Sequence, residues 1–94
     1  MNNSIELQFD KTIAGLAANP YGQKIYHEQV KGKVDENERI EIIFPNRIER
    51  IASSFVQGFF ADWIDRYGVE WIKTNVTIQV RDDELHSWVL KNLT

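Results

Sequence analysis

The chain reads as a small α/β domain with elements in the order βαβαβα, a largely parallel sheet and helices mainly on one face. Two observations predict this. Apolar residues switch along the chain between a period of two and a period near 3.6, marking strands that alternate with helices. The strands also carry polar residues at alternate positions, whereas a sheet covered on both faces would read as continuous apolar runs. Crossovers between such strands are expected to be right-handed. The 94 residues form one domain over 1–94, close to the lower size limit for a single core.

The first strand is expected over residues 4–9, with Ile5, Leu7 and Phe9 on one side and Glu6 and Gln8 on the other. Residues 11–18 allow either one helical turn or a packed loop through Ile13, Leu16 and Ala17. Asn19-Pro20 then reads as an N-cap followed by proline at the first helical position. Tyr21, Ile25, Tyr26 and Val30 give that helix an apolar face, which fades near Gly32. Gly22 weakens the helix by about 1 kcal/mol relative to alanine, so close packing or access is its expected reason. After a polar turn at 35–39, a second strand spans 39–44, with Ile40, Ile42 and Phe44 inward and Glu41 and Ile43 outward. Pro45-Asn46 ends it, and 46–50 is a charged connection.

The central helix follows, its apolar residues at 52, 55, 56, 59, 60, 63, 64 and 67 forming one aromatic-rich stripe. Ser54 and Gln57 match a capping box, Arg66 suits the last turn and Gly68 a stop. Residues 69–73 read as a linker with an apolar hook, and 74–80 as the third strand with Val76, Ile78 and Val80 inward. The last helix starts at Asp82 or Asp83 and buries Leu85, Trp88, Val89 and Leu93.

The balance of residues narrows the function. A net charge of -3 from interspersed charges, with no basic block, argues against nucleic acid as a main partner. No apolar run is long enough to span a bilayer. A cysteine-free chain without an apolar signal segment is expected in the cytoplasm. Neither a disulfide framework nor a thiolate metal site is available. His27 and His86 sit on separate helices without metal-ligand spacing, and both read as surface histidines. No G-x-S-x-G elbow or glycine-rich phosphate loop is present, so we expect neither catalysis nor a cofactor. Asp62 and Asp65, and the cluster at 82–84, read as solvated faces and helix-dipole complements.

Two features remain. Trp71 lies outside any stripe and is a candidate interface anchor. Ser53-Ser54 opens the central helix, where one serine suffices as a cap contributing about 1 kcal/mol. The sharper reading is a phosphoacceptor. A phosphate there would face the free N–H groups and positive end of the helix dipole, adding charge without unfolding the core.

The segment Arg39-Ile40-Glu41-Ile42-Ile43-Phe44, then Ile48 to Phe55, then the amphipathic helix through Gly68, resembles the STAS superfamily. More closely, it is similar to a small STAS-like family of unknown function found in bacteria. In the superfamily's anti-sigma factor antagonists, Asp-Ser-Ser-Gly or Asp-Ser-Thr-Gly opens the equivalent helix, and a histidine-kinase-like ATPase phosphorylates the second hydroxyl residue. Ser53 and Ser54 match the two hydroxyl residues, so the resemblance implies Ser54 as the phosphoacceptor. Ala52 stands where that motif has Asp, and Phe55 where it has Gly. The first change removes a feature of the partner-binding loop, and the second alters what can approach the serine.

The resemblance implies a non-enzymatic signalling module that docks a histidine-kinase-like ATPase or an anti-sigma-type regulator. Candidate contacts are Asn46, Arg47, Arg50, Phe55, Gln57 and Trp71. A homo-oligomeric structural or accessory subunit is the alternative, with Ile43, Trp71 and unpaired sheet edges forming a homodimer.

Overall fold

A computed structural model describes residues 3–94. Strands β1 (Ser4–Glu6), β3 (Ile40–Ile43) and β5 (Val76–Gln79) make a three-stranded parallel sheet in the order β1-β3-β5. A second parallel pair, β2 (Gly15–Leu16) and β4 (Arg50–Ile51), leads directly into helices α1 (Asn19–Gln29) and α2 (Ser53–Tyr67). Helix α3 (Val69–Asn75) precedes β5, and α4 (Asp83–Lys91) ends the fold.

Each crossover moves one strand further in the same direction. Right-handed crossovers then place both main helices on one face of the sheet. That face is the row Ile5, Ile42, Ile78 and the pair Ile40, Val76, as the register requires. Ile40, Ile42, Val76 and Ile78 are buried, and Ile5 packs against them half-buried. The opposite face is open: Glu6, Thr77 and Gln79 are exposed, with Ile43 half-buried among them. Ser4 Oγ donates to Glu41 Oε1 at 2.8 Å, and Arg39 Nη1 to Thr77 Oγ1 at 3.0 Å. The one-faced layer that strand alternation predicts is therefore present.

Helices α1 and α2 meet backbone to backbone. A Cβ on Gly22 would sit 2.7 Å from the Phe59 nitrogen and closer still to the Phe55 carbonyl oxygen. A Cβ on Gly58 would strike the Asn19 carbonyl group and lie 2.9 Å from its Cα. Close packing is thus the reason for Gly22, and Gly58 is its reciprocal partner. Around this crossing, Phe55 and Phe59 stack at 6.0 Å, Phe59 meets Phe60 edge-on at 4.8 Å, and Tyr26 meets Trp63 at 5.3 Å.

Several elements differ from the sequence expectation, each for a physical reason. β1 stops at Glu6 because its partner ends at Ile43; Leu7 N still donates to Ile43 O, then Gln8 N turns to Gln29 Oε1. Residues 15–16 form a strand rather than a helical turn, because β4 offers a partner: Ala52 N donates to Leu16 O at 2.7 Å. Two-residue strands carry too little alternation to be read locally. α1 starts one residue early, with Ala18 in the capping position at φ 80° and no side-chain cap. It ends at Gln29, short of Gly32.

Residues 69–73 are not a linker but the body of α3. Gly68, at φ 91°, breaks the direction between α2 and α3, and its N–H still closes onto Ile64 O. The outer end of the α2 stripe is wetter than expected, since Tyr67 is 44% exposed. In α4, Leu85 and Val89 are buried, as is Leu93 just beyond it, but Trp88 is 44% exposed and outside the expected buried stripe. Its indole instead donates to Ile51 O at 2.6 Å, sealing the outer edge of β4.

Asp82, expected at the start of α4 only as a complement to the helix dipole, also caps it, Oδ1 accepting from Leu85 N at 2.8 Å. Asp82→Ala is expected to cost about 1 kcal/mol in urea unfolding. A loss under about 0.3 kcal/mol would mean the exposed cap adds nothing beyond water.

Candidate functional site

The chain enters α2 from β4 at the C-terminal end of the parallel strands, the side on which open α/β sheets bind ligands. Ser53 is the first residue of α2 and Ser54 the second, with Ala52 at the cap. The expected capping box does not form: no side chain caps α2. Ser54 lies one position too far inside, and its Oγ accepts from Ala18 N at 3.1 Å, so the hydroxyl is spent across the fold. This bond joins the start of α2 to the β2–α1 junction, at the residue held at positive φ. Both serines are half-buried, and the Ser53 hydroxyl has no hydrogen-bond partner among the described residues.

The candidate contact residues do not all gather here. Asn46, Arg47, Arg50 and Gln57 are exposed. Arg47 Nη2 donates to Phe9 O at 2.6 Å and to Asp10 O at 3.3 Å, fastening the loop after β3 to the loop after β1. There Asp10 Oδ1 accepts from Thr12 N at 2.9 Å, and that bond with the Thr12 hydroxyl holds the carboxyl below the usual range. Phe55 must be withdrawn as a contact. It is fully buried against Phe9, Tyr21 and Phe59, because helical spacing turns it into the stripe with Val56 and Phe59 while Gln57 turns outward.

Trp71 belongs to the other end of the molecule, about 20 Å along α2 from the serines. It stacks on Tyr67 at 4.3 Å and lies 5.8 Å from Trp63, half-buried. Ile43 sits on the open sheet face, so Ile43 and Trp71 do not share a patch.

Two features escape sequence reading. The first is a polar cluster at the C-terminal half of α2. Arg66 grips Glu36 with two bonds of 2.7 and 2.6 Å and Asp62 with two of 2.8 and 3.2 Å. Trp63 Nε1 and Tyr67 OH also donate to Glu36, each at 2.9 Å, and Tyr26 OH donates to Asp62 at 2.6 Å. Arg66 holds the Glu36 carboxyl down at about 2, aided by Trp63 and Tyr67 and opposed by burial. Asp62 is lowered by Arg66 first and Tyr26 second. Burial, then Asp62, pushes the Tyr26 phenol far up, so it remains a donor. This cluster pins the loop after α1 onto the helices. Its partners stand some 30 residues apart in sequence, so no local pattern announces it.

The second is a groove of 840 Å³ beside the serines, between the β2–β4 pair and α4. Its local hint is the pair of small residues Gly15 and Ala17. Among the described residues no three His, Asp or Glu side chains come together as metal ligands. No helix among them is long and apolar enough to cross a membrane.

Compared with known families, residues 21–84 match the model described as "STAS-like domain of unknown function (DUF4325)". The match runs from the first turn of α1 to the first turn of α4. No curated protein and no solved structure matches the chain.

Proposed function

Since the chain belongs to the STAS-like family of unknown function, we propose that it is a non-enzymatic regulatory module whose docking face surrounds the start of α2. In this reading Ser54 is the switch residue, and the partner is a histidine-kinase-like ATPase or an anti-sigma-type regulator. One observation supports it above the others: Ser54 Oγ holds the amide of Ala18. A phosphate at Ser54 would act on two elements at once. It would place up to two negative charges among the first amides of α2, and would strengthen or re-aim the contact to the β2–α1 junction. A partner fitted to the neutral hydroxyl is then repelled or turned away.

The test is peptide mass spectrometry on protein recovered from its native cells, with pull-downs by wild type and Ser54→Asp. Phosphate on Ser54 and loss of an ATPase-type partner from the Asp variant are the expected results. An unmodified serine and identical partners for both forms would end the switch reading. Ser54 would then serve only to fasten α1 to α2.

A further inference from the structure

The groove between the β2–β4 pair and α4 has features that the serine switch does not use. Small residues line one side: Gly15, Ala17 and Ala52. A Cβ on Gly15 would meet nothing nearer than the Arg50 carbonyl oxygen at 3.8 Å, so the space above it is open. On the other side stands Trp88, 44% exposed yet held by its bond to Ile51 O. A large aromatic ring fixed in place and facing solvent loses little conformational freedom on binding.

The charges in the lining are unevenly engaged. Arg81 lies 3.3 Å from Glu49 and 3.6 Å from Asp82, which occupies both carboxylates. Arg50 and Lys91 have no carboxylate or hydrogen-bond acceptor among the described residues, and against them stands one further carboxylate, Glu84. The groove therefore offers an apolar floor, a fixed indole and two unengaged cations. Its volume falls in the range of small-molecule sites, about 300–1,000 Å³.

From these features we propose that the groove binds a small planar aromatic anion, its ring against Trp88 and its carboxylate or sulfonate between Arg50 and Lys91. This site uses neither serine, although it borders the same face through Arg50 and Ala52. Gly15, Ala17, Trp88 and Lys91 also lie outside the family-matched residues 21–84.

The probe is 2-naphthoate, titrated by isothermal calorimetry against the full chain, with uncharged naphthalene-2-methanol and dodecanoate as comparisons. Wild type is expected to bind 2-naphthoate with a Kd below about 1 mM. Gly15→Leu, whose Cβ would meet only the Arg50 carbonyl oxygen at 3.8 Å, should weaken binding at least about tenfold with an unchanged circular dichroism spectrum. The Arg50→Gln, Lys91→Gln double variant should lose about tenfold for 2-naphthoate and nothing for the alcohol. Trp88→Leu should weaken 2-naphthoate and leave dodecanoate nearly unchanged. The proposal is overturned by no binding at 1 mM, by Gly15→Leu binding like wild type, or by equal affinity for acid and alcohol. Tighter binding of dodecanoate than of 2-naphthoate would overturn the aromatic assignment.

Discussion

Gly58→Ala is expected to destabilise the domain by about 3 kcal/mol, although the same change in a solvent-facing helix stabilises it by about 1 kcal/mol. The reversal comes from the crossing of α1 and α2. The new methyl would overlap the Asn19 carbonyl group, which is backbone and cannot rotate away. Either α1 moves off, opening gaps around Phe55 and Phe59, or α2 bends. Gly22→Ala meets the mirror-image obstacle at Phe55 and Phe59 and should cost a similar amount. Gly32→Ala is the contrast: nothing lies within 4 Å there, and only its φ of 77° opposes a side chain, so its cost should stay near 1 kcal/mol. Urea unfolding of the three variants checks the order. A Gly58→Ala protein as stable as wild type would mean the helices do not touch as described.

Glu36→Ala is expected to cost about 2 kcal/mol at pH 7, because it strips Arg66, Trp63 and Tyr67 of a shared acceptor and frees the loop after α1. The folded carboxyl titrates at about 2, below its ordinary 4.5, so the fold favours the charged form. Its stabilisation is therefore complete above pH 4.5 and fades as pH falls toward 2. With solvent reaching a quarter of the side chain, that stabilisation amounts to about 2 kcal/mol rather than the full linkage value. Wild type and variant should thus converge in stability between pH 4.5 and 2. A gap that stays constant over that range would show that the carboxylate's charge contributes nothing.

What the chain reveals locally and what it hides divide along physical lines. The sheet's buried row and the α2 stripe were legible because periodicity is a property of neighbouring residues, and the start of α4 was legible because acidic residues at 82 and 83 suit a helix N-terminus. The β2–β4 pair was hidden because two residues cannot show a period, and its reality rests on a partner 35 positions away. Ser54 and Trp88 mislead for the same reason. Each has a local role that its position suggests, and each is claimed by a distant backbone group, Ala18 N or Ile51 O. At the candidate site, the serine pair and the exposed Asn46, Arg47 and Arg50 were readable. The tie to Ala18 and the neighbouring groove were not.

The order β1-β3-β5 also bears on how the chain can assemble. Each strand joins the edge that the preceding one leaves open, so no strand must insert between two already paired. During synthesis, β1, α1, β3 and α2 can form a two-layer unit, closed by the Gly22–Gly58 crossing, before β5 exists. The last quarter of the chain then adds β5 along one edge and lays α4 across β4. Growth in one direction keeps the entropy of loop closure low at every step and shortens the time that the apolar face of α2 stands uncovered.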